Sequence, residues 1–241
     1  ILMAAQILLK KLLEFMVTIK LNLNLLSKIL NLKIRPKLIL NLFTNGGGNV
    51  SSEPQKSNFL QGESVLLKGQ PEDGWLLMGW RLNGMFHEKR EVNYTFVGDL
   101  TAEAVFGTEI SLRAIPPSSG QIEASVEKPL YEYGETVQVQ GKANDGFYMA
   151  TISGRGFSST ISPASYEVLE PNSSLAGLFL KLPTGKVALN ALVKGGGSVS
   201  VLENASSNNS YNKNIEIVLK ADADDGSIFT GWSGDVESDQ A

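Results

Sequence analysis

Cysteine is absent from the 241-residue chain, and histidine occurs once, at His87. The absence of cysteine excludes a disulfide framework, thiolate metal ligands and a cysteine nucleophile. A Ser-His-Asp triad or a histidine-based zinc site would rest on this one histidine, although zinc needs three or four ligands. No uninterrupted apolar run reaches the roughly eighteen residues that predict a membrane-spanning helix. We therefore expect no enzymatic activity, no cofactor and no membrane span.

Charge separates the first 35 residues from the rest of the chain. Six basic residues and one glutamate give residues 1–35 a net charge of +5, so the total of −4 leaves −9 for residues 36–241. An acidic body repels the phosphate backbone of DNA and RNA. The sequence therefore predicts no nucleic-acid partner.

Residues 1–35 also differ in composition, since they lack glycine and aspartate and are rich in Leu, Ile, Lys and Asn. Residues 2–16 consist of good helix formers and predict a short helix, whereas the alternating apolar residues of 17–34 are typical of a strand. A degraded earlier repeat and a translation artefact are alternative interpretations of the segment. Membrane association is expected only through an amphipathic helix at residues 1–16. Because the first residue is Ile, we expect the true start upstream.

A repeated pattern of glycine turns and alternating strands fills the rest of the chain. The turn glycines Gly48, Gly120 and Gly197 lie 72 and 77 residues apart. The Asp-Gly turns that end at Gly74, Gly146 and Gly226 lie 72 and 80 residues apart, which predicts a three-residue insertion in the loop at 204–212. The predicted units are residues 36–107, 108–182 and 183–241, and we expect the third to stop before its closing strands.

Equivalent apolar positions in the three units predict the core. Alternation with a period of two places them on one face of each strand. The predicted core residues are Val65, Val137 and Ile217; Leu67, Val139 and Leu219; and Trp80, Ile152 and Trp232. The fold class predicted from this pattern is mainly β, built from tandem small modules of five or six short strands each.

The third unit carries the motifs of a known family. Its glycine turn, 195–199, and the segment 225–235, which ends in Gly-Trp-Ser-Gly-Asp, resemble the divergent internalin-type B-repeat of bacterial surface proteins. The first unit keeps Gly79-Trp80, whereas the second has Ile152 at the tryptophan position. The resemblance implies a β-grasp-like arrangement, a location outside the cell or on its surface, and no catalytic residues.

Two functions follow from these observations. The first is a non-catalytic stalk, spacer or adhesion segment of a bacterial surface or secreted protein, whose partners are neighbouring repeats and a host or cell-surface protein or glycan. The alternative is an accessory carbohydrate-binding module of a larger secreted polysaccharide-active enzyme. Trp75 is the candidate for stacking against a ligand, because its position is not aromatic in every unit. Asp222, Asp224 and Asp225 are candidate calcium ligands, although they fit the loop signature only in part. His87 is expected in a surface loop.

Overall fold

A computed structural model of the protein describes residues 2–34, 36–236, 238 and 240. Its one described helix, α1, covers Leu2–Ile34. The predicted N-terminal helix is confirmed, but it is longer than expected, because its 33 residues include the alternating segment that was expected to form a strand. Leucine and lysine favour helix, and neither glycine nor proline interrupts residues 2–34. These preferences outweigh a short alternating run.

The first repeat contains eight strands where five or six were predicted. They are β1 (Leu38–Thr44), β2 (Gly48–Glu53), β3 (Asn58–Phe59), β4 (Ser64–Pro71), β5 (Leu76–Leu82), β6 (Met85–His87), β7 (Glu91–Thr95) and β8 (Leu100–Thr108). Because β8 continues to Thr108, the predicted boundary after residue 107 falls inside a strand.

These strands form two sheets. The first strand, β1, runs parallel to the last, β8, with Leu40 opposite Leu100 and Thr44 opposite Ala104. β5 pairs antiparallel with the other edge of β8, β6 follows β5, and β3 pairs with β1. The second sheet has the order β2-β4-β7. A mixed sheet and a three-stranded antiparallel sheet thus build the repeat.

The second repeat reproduces this arrangement, except that its third strand pairs with β8 of the first repeat instead of with its own first strand. Its strands are β9 (Ile110–Ile115), β10 (Gly120–Ala124), β11 (Tyr131–Glu132), β12 (Thr136–Ala143), β13 (Phe147–Gly154), β14 (Phe157–Ser159), β15 (Ala164–Glu167) and β16 (Ser173–Lys181). β9 runs parallel to β16, and β10-β12-β15 form the three-stranded sheet. The ladder shifts register at Met78 in β5 and at the equivalent Ala150 in β13. Even an irregularity of the first repeat therefore recurs in the second.

The described part of the third repeat contains four strands, which are β17 (Lys186–Ala188), β18 (Gly197–Glu203), β19 (Ser210–Asn212) and β20 (Val218–Ala223). The hairpin after each glycine turn has the same register in all three repeats. Gly48 pairs with Pro71, Gly120 with Ala143, and Gly197 with Ala223. The predicted mainly β fold of small tandem units is confirmed. The β-grasp analogy does not extend to a helix, because residues 36–236 contain none.

The predicted core residues of the first two repeats are buried. Val65 and Val137 lie opposite Tyr94 and Tyr166 in their ladders. All of Val65, Val137, Leu67, Val139, Trp80 and Ile152 are at most 4% exposed. The third repeat differs, because Ile217, Leu219 and Trp232 are only half-buried. Its described residues contain no strand equivalent to β8 or β16, and the prediction of full burial there is wrong.

Two of the turn glycines owe their identity to close packing. A Cβ atom on Gly120 would lie 2.5 Å from Cε1 of Phe179 and 2.7 Å from the carbonyl oxygen of Lys142. A Cβ atom on Gly48 would lie 2.6 Å from Cε1 of Phe106, which is the equivalent contact in the first repeat. The hairpin therefore touches a phenylalanine of the closing strand through bare backbone.

We expect Gly120→Ala to lower the free energy of unfolding by about 1–3 kcal/mol, because the new methyl group overlaps a fully packed ring and a backbone oxygen. Urea denaturation of the full chain measures the change. Gly98→Ala is the matched control, since nothing lies within 4 Å of a Cβ atom at that position. Equal effects of the two substitutions would contradict this account of Gly120.

Candidate functional site at the repeat junctions

The residues that the sequence suggested as candidates for catalysis or metal binding do not lie together in one site. His87 lies half-buried in β6, where it pairs with Trp80 across the hairpin, so it belongs to a strand rather than to a loop. Asp222, Asp224 and Asp225 are exposed, and Asp222 forms an ion pair with Lys220. Among the described residues, no group of three or more His, Cys, Asp or Glu side chains has a geometry suited to a metal ion.

Trp75 is buried, and the prediction that it is an exposed aromatic is wrong. Its side chain is 6% exposed, and its ring lies 5.3 Å from the ring of Tyr133, tilted by 53°. It also packs on Gly47, where a Cβ atom would lie 2.8 Å from the indole. Because Tyr133 belongs to the second repeat, Trp75 is part of a contact between two repeats rather than a face for a sugar ring.

The first junction is built by strand addition. β11 of the second repeat pairs antiparallel with the end of β8, with Tyr131 opposite Thr108 and Glu132 opposite Gly107. β1 ends its pairing with β8 at Ala104, so β11 extends the same edge of that strand. The sheet of the first repeat therefore contains a strand of the second.

Tyr133 completes this junction. Its backbone N–H donates to the carbonyl oxygen of Phe106 at 3.0 Å, and its own carbonyl oxygen accepts from the Nδ2 of Asn45 at 3.1 Å. The ring lies so close to Gly46 that a Cβ atom there would be 2.5 Å from Cε1. The φ of Gly46, 133°, already favours glycine, and the ring from the second repeat leaves no room for a side chain there.

An ion-pair cluster spans the same junction. The guanidinium of Arg81 donates to Glu103 of its own repeat, with 3.3 Å between Nη1 and Oε2, and to Glu132 of the second repeat. The hydrogen bond and charge of Glu132, with a smaller contribution from Glu103, raise the pKa of Arg81. The three side chains are 20–30% exposed, so the pairs are only partly screened by water.

The second junction uses side-chain amides instead of charges. Oε1 of Gln140 accepts from the backbone N–H of Val193 at 2.7 Å, and its Nε2 donates to the carbonyl oxygen of Val193 at 3.0 Å. Gln140 is 1% exposed. Its amide thus reproduces the pairing that a neighbouring strand would give to Val193, and both of its polar atoms are satisfied.

Two asparagines of the third repeat form similar contacts with the second. Asn190 bonds both the N–H and the carbonyl oxygen of Ala143, at 3.0 and 3.1 Å. Asn209, 4% exposed, donates to the carbonyl oxygen of Met149 at 3.0 Å and accepts from the N–H of Ser162 at 3.3 Å. The second junction is therefore a set of paired amide contacts that fix one relative position of the two repeats.

A loop motif recurs in the first two repeats. Glu63 accepts from Lys56 and from the backbone N–H of Leu60, both at 2.8 Å. The side chain of Lys56 lies over the ring of Phe59, 4.6 Å from its centre. The second repeat has the same arrangement 72 residues later, with Lys128, Tyr131, Glu132 and Glu135. Glu63 and Glu135 follow equivalent glycines in the sequence, and this recurrence is the signal that could have revealed the motif.

A shallow cavity of about 420 Å³ lies between the second and third repeats. Its charged lining residues are Lys128, Glu135 and Asp224. Lys128 and Glu135 already pair with each other, so the cavity offers little unpaired charge of one sign. The functional geometry of the described chain lies in the junctions rather than in a pocket.

The model of a known family, the divergent InlB B-repeat domain, matches residues 39–110 and 187–240. No curated protein and no solved structure matches the chain significantly. No helix among the described residues is both long enough and apolar enough to cross a bilayer. The matched regions contain nearly all of the first repeat and most of the third, and the second repeat between them has a similar strand pattern.

The ion pair of Glu63 predicts a pH dependence. Hydrogen bonding to Lys56 and to the backbone of Leu60 lowers the pKa of Glu63 below its ordinary value. A carboxylate with a lowered folded pKa stabilises the fold above its unfolded pKa, and this contribution disappears as the pH falls through the folded pKa. We expect Glu63→Gln to be less stable than the parent at pH 7, and the difference to narrow as the pH falls below 4.5.

Urea midpoints of the parent and of Glu63→Gln across this pH range test the prediction. Exposed Glu88 provides the control substitution, Glu88→Gln. A difference between parent and Glu63→Gln that stays constant with pH would show that the effect of the substitution is not electrostatic.

Gln140 carries the prediction for the second junction. Gln140→Leu leaves the N–H and carbonyl oxygen of Val193 without their partner, which we expect to cost about 1–3 kcal/mol. The matched control is Gln138→Leu on the same strand, because Gln138 bonds Ser165 within its own repeat. Hydrogen exchange at the Val193 amide is the measurement. Faster exchange in Gln140→Leu alone is expected, and equal rates in both variants would refute the assignment.

Proposed function

Because the chain belongs to the divergent InlB B-repeat family, we propose that it is a non-catalytic stalk segment that holds attached parts of a bacterial surface or secreted protein at a fixed spacing. The family consists of repeat modules of bacterial surface proteins. The proposed location is accordingly outside the cell or on its surface. The finer assignment to a stalk depends on how the repeats are joined.

The observation that carries the proposal is the pair of well-fixed junctions. Strand addition, an aromatic pair and an ion-pair cluster join the first two repeats, and their buried side chains belong to one continuous core. Amide contacts of Gln140, Asn190 and Asn209 join the second and third. Contacts of this kind oppose bending between neighbours, which is the property that a spacer needs.

The connections between repeats are too short to act as flexible linkers. One residue, Glu109, separates β8 from β9. The segment 182–185 separates β16 from β17, and the N–H of Leu182 bonds to the carbonyl oxygen of Gly146 at 2.9 Å. Short connections supported by hydrogen bonds favour a stiff array of repeats over independent domains joined by flexible linkers.

The carbohydrate-binding alternative loses its main candidate residue. Trp75 was expected to be an exposed aromatic, and its side chain is buried against Tyr133. Adhesion through the stalk's exposed loops to a host protein or glycan is compatible with the stalk function. The charged groups of the recurring loop motif, Lys56 with Glu63 and Lys128 with Glu135, already pair within their own loops.

The cysteine-free chain allows the stiffness to be measured directly. Spin labels on cysteines introduced at Asn49 in the first repeat and Glu203 in the third, both exposed, report the distance across both junctions. We expect a single narrow distance distribution by double electron–electron resonance, because both junctions are fixed. Gln140→Leu is expected to broaden it.

The control places labels at Asn49 and Glu88, both exposed and both within the first repeat, where Gln140→Leu should change nothing. A broad distribution between Asn49 and Glu203 in the parent chain would mean that the repeats move independently. The stalk proposal would then be wrong, whatever the chain binds.

A further inference from the structure

The helix α1 presents an uncovered apolar surface. Every side chain from residue 6 to residue 28 is exposed. Thirteen of them are large and apolar, with 42–72% of each side chain accessible. Apolar surface of this extent on one helix marks a site of contact with another apolar phase.

Part of this surface is a continuous apolar face, which we define as Leu8, Leu12, Phe15, Ile19, Leu23 and Leu26. With 3.6 residues per turn, these six side chains fall within an arc of about 80°. Polar residues between positions 6 and 28 all lie outside this arc. The face therefore forms an unbroken stripe along most of the helix.

Lysines surround the apolar face without entering it. Lys11 and Lys20 lie on its two sides, and Lys10 and Lys28 lie on the opposite side of the helix. Glu14 is the single acidic residue of the helix. Long lysine side chains beside an apolar stripe extend to the polar boundary of a bilayer while their methylene groups stay on the apolar side.

We propose that α1 lies flat on an anionic lipid surface, with the apolar face in the acyl-chain boundary and the lysines at the headgroups. The spacing of the face supports lipid over a second copy of the helix. From Leu8 to Leu26 it averages 3.6 residues, as in a straight helix, whereas a left-handed coiled coil needs a seam with a period of about 3.5. The positive charge of the helix complements anionic headgroups.

The charge of the repeats is consistent with this arrangement. Residues 36–241 carry −9 against +5 for residues 1–35, so an anionic surface attracts the helix and repels the repeats. The repeats would then stand away from the lipid while the helix is attached. The proposal does not depend on the stalk function, because the lipid contact concerns α1 alone.

Co-sedimentation of the full chain with vesicles tests the proposal, using phosphatidylcholine alone and phosphatidylcholine with one quarter phosphatidylglycerol. We expect binding to the anionic vesicles that weakens in high salt, and little binding to the neutral ones. Leu12→Gln with Leu23→Gln should lower the partition coefficient by about tenfold or more, because two exposed leucines lose their burial in lipid. Glutamine favours helix about as well as leucine, so the helix is retained.

The matched control is Leu21→Gln with Leu25→Gln. These leucines have similar exposure but lie outside the apolar face, and the pair should bind within about twofold of the parent. Circular dichroism checks the helix in both variants, and light scattering without vesicles reports self-association. Failure of the parent to bind anionic vesicles, or equal losses in the two variants, overturns the proposal. So does self-association that only Leu12→Gln with Leu23→Gln abolishes, which would assign the face to a second copy.

Discussion

The parallel pairing of the first and last strands closes each complete repeat. β1 pairs with β8, and β9 pairs with β16. The first and last strands of each repeat therefore meet in one sheet, and all the other strands of the repeat lie between them in the sequence. A parallel pair requires a long crossover, and here the crossover is the rest of the repeat. Because the last strand of the first repeat leads into the first strand of the second across one residue, the closed sheet also fixes where the next repeat begins.

Both junctions fix one repeat against the next, but they use different chemical groups. At the first, β8 offers a free edge beyond Ala104, and β11 occupies it with backbone hydrogen bonds. At the second, the amides of Gln140 and Asn209 supply the hydrogen bonds that a strand would have supplied. A buried amide is costly unless each of its polar atoms is paired, so such contacts tolerate only one docking geometry. Charges at the first junction are more exposed and more sensitive to salt.

The local pattern of residues in the sequence was enough to predict the repeats. The contacts between repeats could not be predicted from that pattern. Glycine turns and alternating apolar residues are local features that depend on only a few neighbouring residues. The common hairpin register of Gly48, Gly120 and Gly197 follows from them. The burial of Trp75 depends on Tyr133, 58 positions later in a different repeat. The helix was misread because its segment contains both an alternating run and a 3.6-residue stripe. Only the 3.6-residue stripe agrees with the helix propensity of the residues in this segment.

The tryptophan of the family motif shows that covering strands, rather than residue identity, make this core. Trp80 is fully buried because β5 carries it against β8, where Ala104 lies opposite. Ile152, with a different shape, is equally buried because β13 carries it against β16. Trp232 has the motif residue but contacts Phe229 edge-on and donates its indole N–H to the carbonyl oxygen of Gln240. No strand of the described third repeat lies over it, so the same side chain remains half-exposed.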